Sequence, residues 1–490
     1  MENSRSTSSP PIAILGVPFD NVTTAETVDL IGEMIATRRP HYLVTANVDF
    51  LVQALHDVEL RRILMDAHMV LCDGTPLVWA SRLLGNPLPE RVAGSDLVPL
   101  LIRVAAEKKH RLFFLGGTPE ATGKAVTKLR SQFPELCICG FYSPPFSRLM
   151  DMDHQEILRR IEETRPDILF VSFGCPKQEK WIAMHYRAMG VPVAVGVGAT
   201  IDFLAGTARR APKFMQRTGT EWIFRMVQEP RRLCKRYFND LWWFSQAIVR
   251  QWWAMQFSPR PKPNPSPAAP IVQEKSWKRI RMPERLDVTS VRQDGSRFEE
   301  ALAASRYCLL ELRTVKFIDS TGMGLLIRLQ KRARNTGRKL ILLSPSPEVV
   351  SALKLMKLSD FFITARDFSA AIHLMQEDDQ QPHSAELQQK DSPAETSLLW
   401  RGELTAANAE KVWESTHQHI MAKSDHHPAK LCIDITGLQF IDSTGLGVML
   451  RTKKKALQQG MSIVFTGIQP NVRNVLKLAK LEGFLLGEPK

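Results

Sequence analysis

No stretch of the 490-residue chain reaches the roughly eighteen consecutive apolar residues of a membrane-spanning helix. The polar, Ser-rich opening from Met1 to Pro11 has no apolar run of a secretory signal. Both absences lead to the expectation of a cytoplasmic protein. A disulfide framework is missing as well. The seven cysteines (Cys72, Cys137, Cys139, Cys175, Cys234, Cys308, Cys432) are scattered and odd in number, which fits a reducing compartment. Cys137-Ile138-Cys139 is not a zinc spacing and no second pair completes a site. There is no Walker lysine, no Gly-x-Gly-x-x-Gly, and no Ser or Cys elbow with a His partner. No Asp-x-Asp follows a strand to hold a metal–diphosphate, so neither a metal nor another cofactor is expected. No recognised RNA- or DNA-binding motif occurs, so nucleic acid is not an expected partner. The net charge of +14 still points to anionic partners, such as a nucleotide sugar or an acidic membrane surface.

What is present reads as two to four domains. From Ile12 to about Gly206, short apolar runs alternate with helical spacing. The candidate strands are Tyr42–Ala46, Met69–Cys72, Arg111–Leu115, Ile168–Phe173 and Val193–Val197. Helical patterns over Asp49–Met65, Asp96–Lys108 and Pro119–Phe133 lie between them. This alternation predicts a mainly parallel sheet covered on both faces. Such a sheet gathers its strand ends along one edge, so the loops there can converge on one crevice. In Val70-Leu71-Cys72-Asp73-Gly74-Thr75-Pro76 an apolar run ends in an acid and a turn. A carboxylate there can take a proton or hold a hydroxyl; alternatively Asp73 only bonds its own turn. Gly116-Gly117 lets a backbone approach a phosphate at a helix start. Lys177 and Gln178 offer donors to a sugar or phosphate, or are solvated helix-start residues.

Between Gly206 and Phe257 the character changes. Ten Lys/Arg (Arg209, Arg210, Lys213, Arg217, Arg225, Arg231, Arg232, Lys235, Arg236, Arg250) face three acids (Glu221, Glu229, Asp240), and the segment ends in Leu241-Trp242-Trp243-Phe244 and Trp252-Trp253-Ala254-Met255. Trp242 and Trp253 are about three helical turns apart and share a face. Basic residues followed by aromatics suit an anionic membrane surface; the alternative is a terminal helix whose Trp residues pack on the core. Ser258–Pro270 carries six prolines and reads as a semi-rigid linker.

The rest is a repeat. Phe317-Ile318-Asp319-Ser320-Thr321-Gly322-Met323-Gly324 recurs as Phe440-Ile441-Asp442-Ser443-Thr444-Gly445-Leu446-Gly447, an ungapped offset of 123 residues. Two copies of one domain follow, since the period is too long for a solenoid. Each copy reads strand, Asp-Ser-Thr-Gly turn, helix, strand, helix, with the Ser expected at the helix N-cap.

Residues from about Ile12 to Phe238 resemble the WecG/TagA/CpsF glycosyltransferases (glycosyltransferase family 26). The likeness rests on Thr45-Ala46-Asn47, Cys72-Asp73-Gly74, Glu90-Arg91-Val92-Ala93-Gly94-Ser95-Asp96, Leu115-Gly116-Gly117, Gly174-Cys175-Pro176-Lys177-Gln178-Glu179, Gly196-Val197-Gly198-Ala199 and Arg210-Ala211-Pro212. Glu221-Trp222, Arg225 and Glu229-Pro230-Arg231-Arg232 complete it. The resemblance implies transfer of an N-acetylmannosamine-, uronic acid- or glucose-type sugar from a UDP-sugar to a polyprenyl-diphosphate-linked sugar acceptor. The setting would be the cytoplasmic face of the membrane, in bacterial surface polysaccharide synthesis. Asp73 matches the proposed base, with Thr45, Asn47, Arg91 and Gln178 as active-site neighbours. Gly116, Gly117 and Lys177, with Arg225, Arg232, Lys235 and Arg236 of a basic appendage, would face the donor diphosphate. Cys72 departs from the small Ala usual there. Family members are often oligomers, so a homo-oligomer is a further expectation.

The repeats resemble STAS domains, the fold of bacterial anti-sigma-factor antagonists. Ser320 and Ser443 match the serine that a partner kinase phosphorylates; the alternative is a passive interaction module. The expected fold class is thus α/β. A Rossmann-like, mainly parallel transferase core (12–206) follows a disordered 1–11 and carries a helical, basic, Trp-rich appendage (207–257). A linker (258–274), a first STAS domain (275–375), a second linker (376–396) and a second STAS domain (397–490) complete the chain. A reading from another class is a signalling scaffold, in which the STAS pair works and the transferase fold only senses a nucleotide sugar.

Overall fold

In the computed structural model the described residues are 11–212, 214–215, 220–257, 271–273, 277–380, 388–391, 396–406, 408–422, 430–459, 461–478 and 481–486. Residues 1–10 of the expected disordered start, Lys213, Arg217 and the Pro-rich stretch 258–270 lie outside them, as does most of the second linker, whereas Ile271–Gln273 and Gln388–Asp391, expected in the two linkers, are strands that join the sheets of the repeats.

The chain opens with a hairpin of β1 (Ile12–Ile14) and β2 (Val17–Phe19). The apolar runs that follow form six parallel strands: β3 (His41–Ala46), β4 (Met69–Cys72), β5 (Arg111–Gly116), β6 (Cys137–Tyr142), β7 (Ile168–Ser172) and β8 (Val193–Gly196), in the spatial order β4-β3-β8-β7-β5-β6. Five are the strands expected from sequence; β6 and the hairpin were not anticipated. Central strands β3, β7 and β8 are buried on both faces, as their continuous apolar character requires. The helices between them are α1 (Thr24–Thr37), α2 (Val48–Ala54), α3 (Val58–Asp66), α4 (Thr75–Leu83), α5 (Gly94–Lys108), α6 (Pro119–Gln132), α7 (His154–Thr164), α8 (Lys177–Met189) and α9 (Thr200–Ala205). The single helix expected over Asp49–Met65 is two. Asp57 interrupts it, because its carboxylate accepts the Leu60 N–H at 2.9 Å and starts α3 afresh.

A short helix (Glu221–Gln228) and a long one (Pro230–Phe257) form the appendage. The long helix buries Leu233, Phe244 and Ile248. Gln251 fastens it to the hairpin: its side chain accepts from Leu15 N–H and donates to Ala13 C=O, both at 3.0 Å. Trp252 is half-buried and packs against the core, whereas Trp242, Trp243 and Trp253 stand outside it. Trp242 is 58% exposed and Trp253 56%. Among the described residues no helix is long and apolar enough to cross a membrane.

Each repeat folds as its own small α/β unit. In the first, Ile363–Ala365, Lys339–Leu343, Tyr307–Glu311, Trp277–Arg281 and Ile271–Gln273 pair in that order, parallel except for the last pair. In the second, Gln388–Asp391, Thr396–Leu399, Lys430–Asp434 and Ser462–Thr466 pair in that order around their own core, parallel except for the first pair. The helices Ser320–Asn335 and Ser443–Gln458 are capped by Asp319 and Asp442, not by the serines as expected. An ionised carboxylate satisfies first-turn amides better than a hydroxyl and complements the helix dipole. Asp319 accepts from the Thr321 and Gly322 N–H groups at 2.8 Å. Each serine is therefore the first helical residue, with its hydroxyl turned outward from its own cap.

Candidate functional site

The carboxyl ends of β3, β4, β5, β7 and β8 meet along one edge, and the appendage closes over it. Two adjoining cavities result, of about 860 Å³ and 620 Å³. The larger is the more polar of the two, lined by Thr45, the Gly116-Gly117-Thr118 turn, Gly174, Lys177 and Gln178 as well as by Phe146, Phe173 and Phe203. The smaller runs between α4 and the long helix and is lined mainly by Pro76, Trp79, Leu83, Leu241, Phe244 and Ile248. Asn47, Asp49, Asp73, Arg225 and Arg236 line both.

Asp73 directly follows β4. Its own N–H bonds Ala46 C=O at 2.9 Å, and its carboxylate sits 3.4 Å from the Gly94 N–H. Removal from water pushes the carboxyl up to about 6, against the pull of Arg91, Arg225 and the Gly94 amide; Glu221 adds to the rise. Asn47 caps α2, accepting the Phe50 N–H at 3.3 Å. Thr45 is buried beneath, its hydroxyl 3.3 Å from Gly196 C=O.

Arg91 and Arg225 are held by one acid, Glu221. It accepts from Arg91 at 3.2 Å and Arg225 at 3.3 Å, and Arg91 also pairs with Asp96 at 2.8 Å. Arg236 lies 3.9 Å from Asp49 and 3.8 Å from Asp240. Burial raises Asp240 to about 6. Sequence reasoning gave Glu221, Asp49 and Asp240 no role. The available signal was the i,i+4 spacing of Glu221 with Arg225 and of Arg236 with Asp240.

Other expected residues have defined local partners. Gln178 is buried, accepts the Gly174 and Gly198 N–H groups at 3.2 Å, and donates to Glu179 at 2.7 Å. It thus shapes two glycine loops of the polar cavity and has those polar atoms engaged by the protein. Burial lifts Glu179 beneath it to about 7. The Gly117 N–H is taken by Ser172 C=O at 3.0 Å. Gly116 has φ +97°, and a Cβ there would stand 2.4 Å from the Ser172 carbonyl oxygen, so only glycine makes this turn. Lys177 donates to Ser147 C=O at 2.7 Å, and burial lowers its pKa. Lys235 is exposed and lines neither cavity. The Arg232 side chain lies outside the described residues.

The model of the glycosyl transferase WecG/TagA/CpsF family matches residues 12–257, just over half the chain. The chain belongs to this family of glycosyltransferases. STAS domain models match residues 269–372 and 385–489. Similar to the transferase part is the N-acetylglucosaminyldiphosphoundecaprenol N-acetyl-beta-D-mannosaminyltransferase of Staphylococcus aureus strain MW2. It is 30% identical over 224 residues, covering 45% of this chain and 86% of that protein. The same-named protein of strain MRSA252 aligns equally well, at 30% and the same coverage. A solved STAS domain protein from Planctomyces limnophilus is 25% identical, with a TM-score of 0.21, covering 22% of this chain and 97% of that one.

Proposed function

We propose that the chain transfers a sugar of the N-acetylmannosamine, uronic acid or glucose type from a UDP-sugar to a polyprenyl-diphosphate-linked sugar. The transfer would occur at the cytoplasmic membrane face, in bacterial surface polysaccharide synthesis. The observation that supports this reading is that Asp73 lines both cavities, the more polar and the more apolar one. A nucleotide sugar suits the first, and the lipid end of the acceptor suits the second. The printed activity of the staphylococcal relatives, on a diphosphoundecaprenol-linked acceptor, favours N-acetylmannosamine among the donors.

Asp73 takes the proton of the acceptor hydroxyl as its oxygen attacks the donor's C1 and the bond to UDP breaks. An acid near 6 is mostly ionised at pH 7 and still basic enough to accept that proton. Negative charge gathers on the leaving diphosphate, where Arg225 and Arg236, with Lys177 at the polar cavity, stabilise it without a metal. The exposed Trp242 and Trp253 rest on an anionic membrane surface. Ser320 and Ser443 accept the γ-phosphoryl group of a nucleoside triphosphate from a kinase, each hydroxyl losing its proton as the new P–O bond forms and the bond to the leaving nucleoside diphosphate breaks.

The test is a radiolabelled UDP-sugar panel against polyprenyl-diphosphate-GlcNAc, with Asp73→Asn as control. Label reaching the lipid fraction only with intact Asp73 supports the reading. UDP-sugar binding without turnover would favour a sensing scaffold.

A further inference from the structure

Both repeat serines are covered by the transferase core. Ser320 is 0% exposed and Ser443 5%. The Asn86 side-chain amide, just past the end of α4, donates to the Ser320 hydroxyl at 2.9 Å and to the Asp319 carboxylate at 3.3 Å. Glu59 on α3 accepts twice from Ser443, from its N–H at 2.6 Å and its hydroxyl at 2.9 Å.

Helix α3 serves both repeats at once. Towards the first, Arg61 donates to Met356 C=O at 2.7 Å and Asp66 lies 3.5 Å from Arg334, while Met65 and Ala13 join that domain's hydrophobic core. Towards the second, Arg62 pairs with Glu403 at 2.5 Å and stacks 4.1 Å from the Phe440 ring. The fit is close: a Cβ on Gly324 would stand 2.1 Å from the Pro11 carbonyl oxygen.

We propose that Ser320 and Ser443 are latches that close the STAS pair on its own transferase core, and that negative charge added at either serine releases its domain. The partner of the serine-bearing helix starts is thereby this chain, through Glu59 and Asn86. At Ser443 the local balance is already acidic. Glu59 binds it and Asp442 precedes it, while Glu59 shares Lys180 with Asp57 at 2.8 and 2.7 Å, and Arg62, paired with Glu403, is a further cation acting on Asp442. Glu59 raises the Asp442 pKa, a sign of this crowding, though burial is the larger cause. At Ser320 the site has no room for a larger group, and Asp319 would repel its charge. Modification can occur only with the latch open, so it traps the open form. The latch rests on the phosphorylation reading only for the source of charge. Charge substitution tests it without a kinase and without turnover.

The experiment uses the full chain. Small-angle scattering gives its radius of gyration, and hydrogen exchange follows amides 58–66. Ser320→Glu/Ser443→Glu should expand the molecule and lower protection on the order of 10²-fold. Ser320→Ala/Ser443→Ala loses the two hydroxyl bonds but keeps the Asn86–Asp319 and Ser443 N–H–Glu59 bonds and adds no charge, so it should open less than the glutamate pair. If the glutamate pair does not fold, Glu59→Ala/Asn86→Ala decides, since it removes the core's half of both latches and leaves the STAS domains untouched; a loss of protection of roughly tenfold or more is expected. Wild-type scattering and protection in either folded variant overturns the proposal.

Discussion

Glu221, on the first appendage helix, accepts a hydrogen bond from Arg91 of the core at 3.2 Å. It also holds Arg225, so one buried carboxylate aims two cations at the cleft beside Asp73. Replacing Glu221 with Ala should leave the sheet intact but release both arginines. The expected loss in kcat/KM is on the order of 10-fold to 10²-fold. A kcat/KM within twofold of wild type would remove Glu221 from the positioning machinery.

The pH dependence follows from Asp73. Its folded pKa of about 6 lies above that of the unfolded chain. A base must be ionised, so log kcat/KM should rise with pH and level off above about 6. The sign for stability is opposite. Between about pH 4 and 6 the folded protein keeps a proton that the unfolded chain has released, so ionisation weakens the fold as pH rises. Asp73→Asn should therefore cost on the order of 10²-fold or more in transfer yet raise stability above pH 6 by up to about 3 kcal/mol. Denaturant melts at pH 5 and pH 7.5 check the second part; equal gains at both would separate Asp73 from this titration.

The apolar cavity makes a separate prediction. Trp79 and Leu83 on α4 face Leu241 and Ile248 on the long helix across it. Leu83→Asp should raise KM for a long polyprenyl acceptor on the order of 10-fold, by the burial lost, and leave KM for UDP-sugar unchanged. A short-chain, water-soluble acceptor should show no change. An equal defect with both acceptors would mean that the substitution disturbs Asp73 rather than the lipid.

How much of this was legible in the sequence depends on the distance over which each contact forms. Five central strands follow from local apolar runs with turn residues at their ends. Strand β6, Cys137-Ile138-Cys139-Gly140-Phe141-Tyr142, escaped because an edge strand is only half buried and mixes its residue types. Asp73 was legible as a cleft residue because strand ends of a parallel sheet gather where ligands bind, while its reading as a base came from the family resemblance. The partners of Ser320 and Ser443 could not be read, because Asn86 and Glu59 lie 234 and 384 residues away in the chain. The Asp at each cap was legible in principle, since Asp and Ser cap helix starts about equally well, and the expectation placed the cap one residue too late.

The appendage carries the last prediction. Phe238, Trp242 and Trp253 stand exposed on the long helix, while Phe244, Ile248 and Gln251 on its other side hold it to the core. The outer face can therefore be changed without loosening the inner one. Trp242→Ala/Trp253→Ala should keep the melting temperature and lower partitioning onto anionic vesicles on the order of 10²-fold, from about 1.5–3 kcal/mol per aromatic side chain. Salt separates the two contributions. Raising it from about 0.1 M to 1 M shortens the screening length from about 10 Å to 3 Å, so the part due to Arg and Lys should fall while the part due to Trp persists. Wild-type vesicle binding in the double variant at both salt concentrations would mean that these indoles do not touch the membrane.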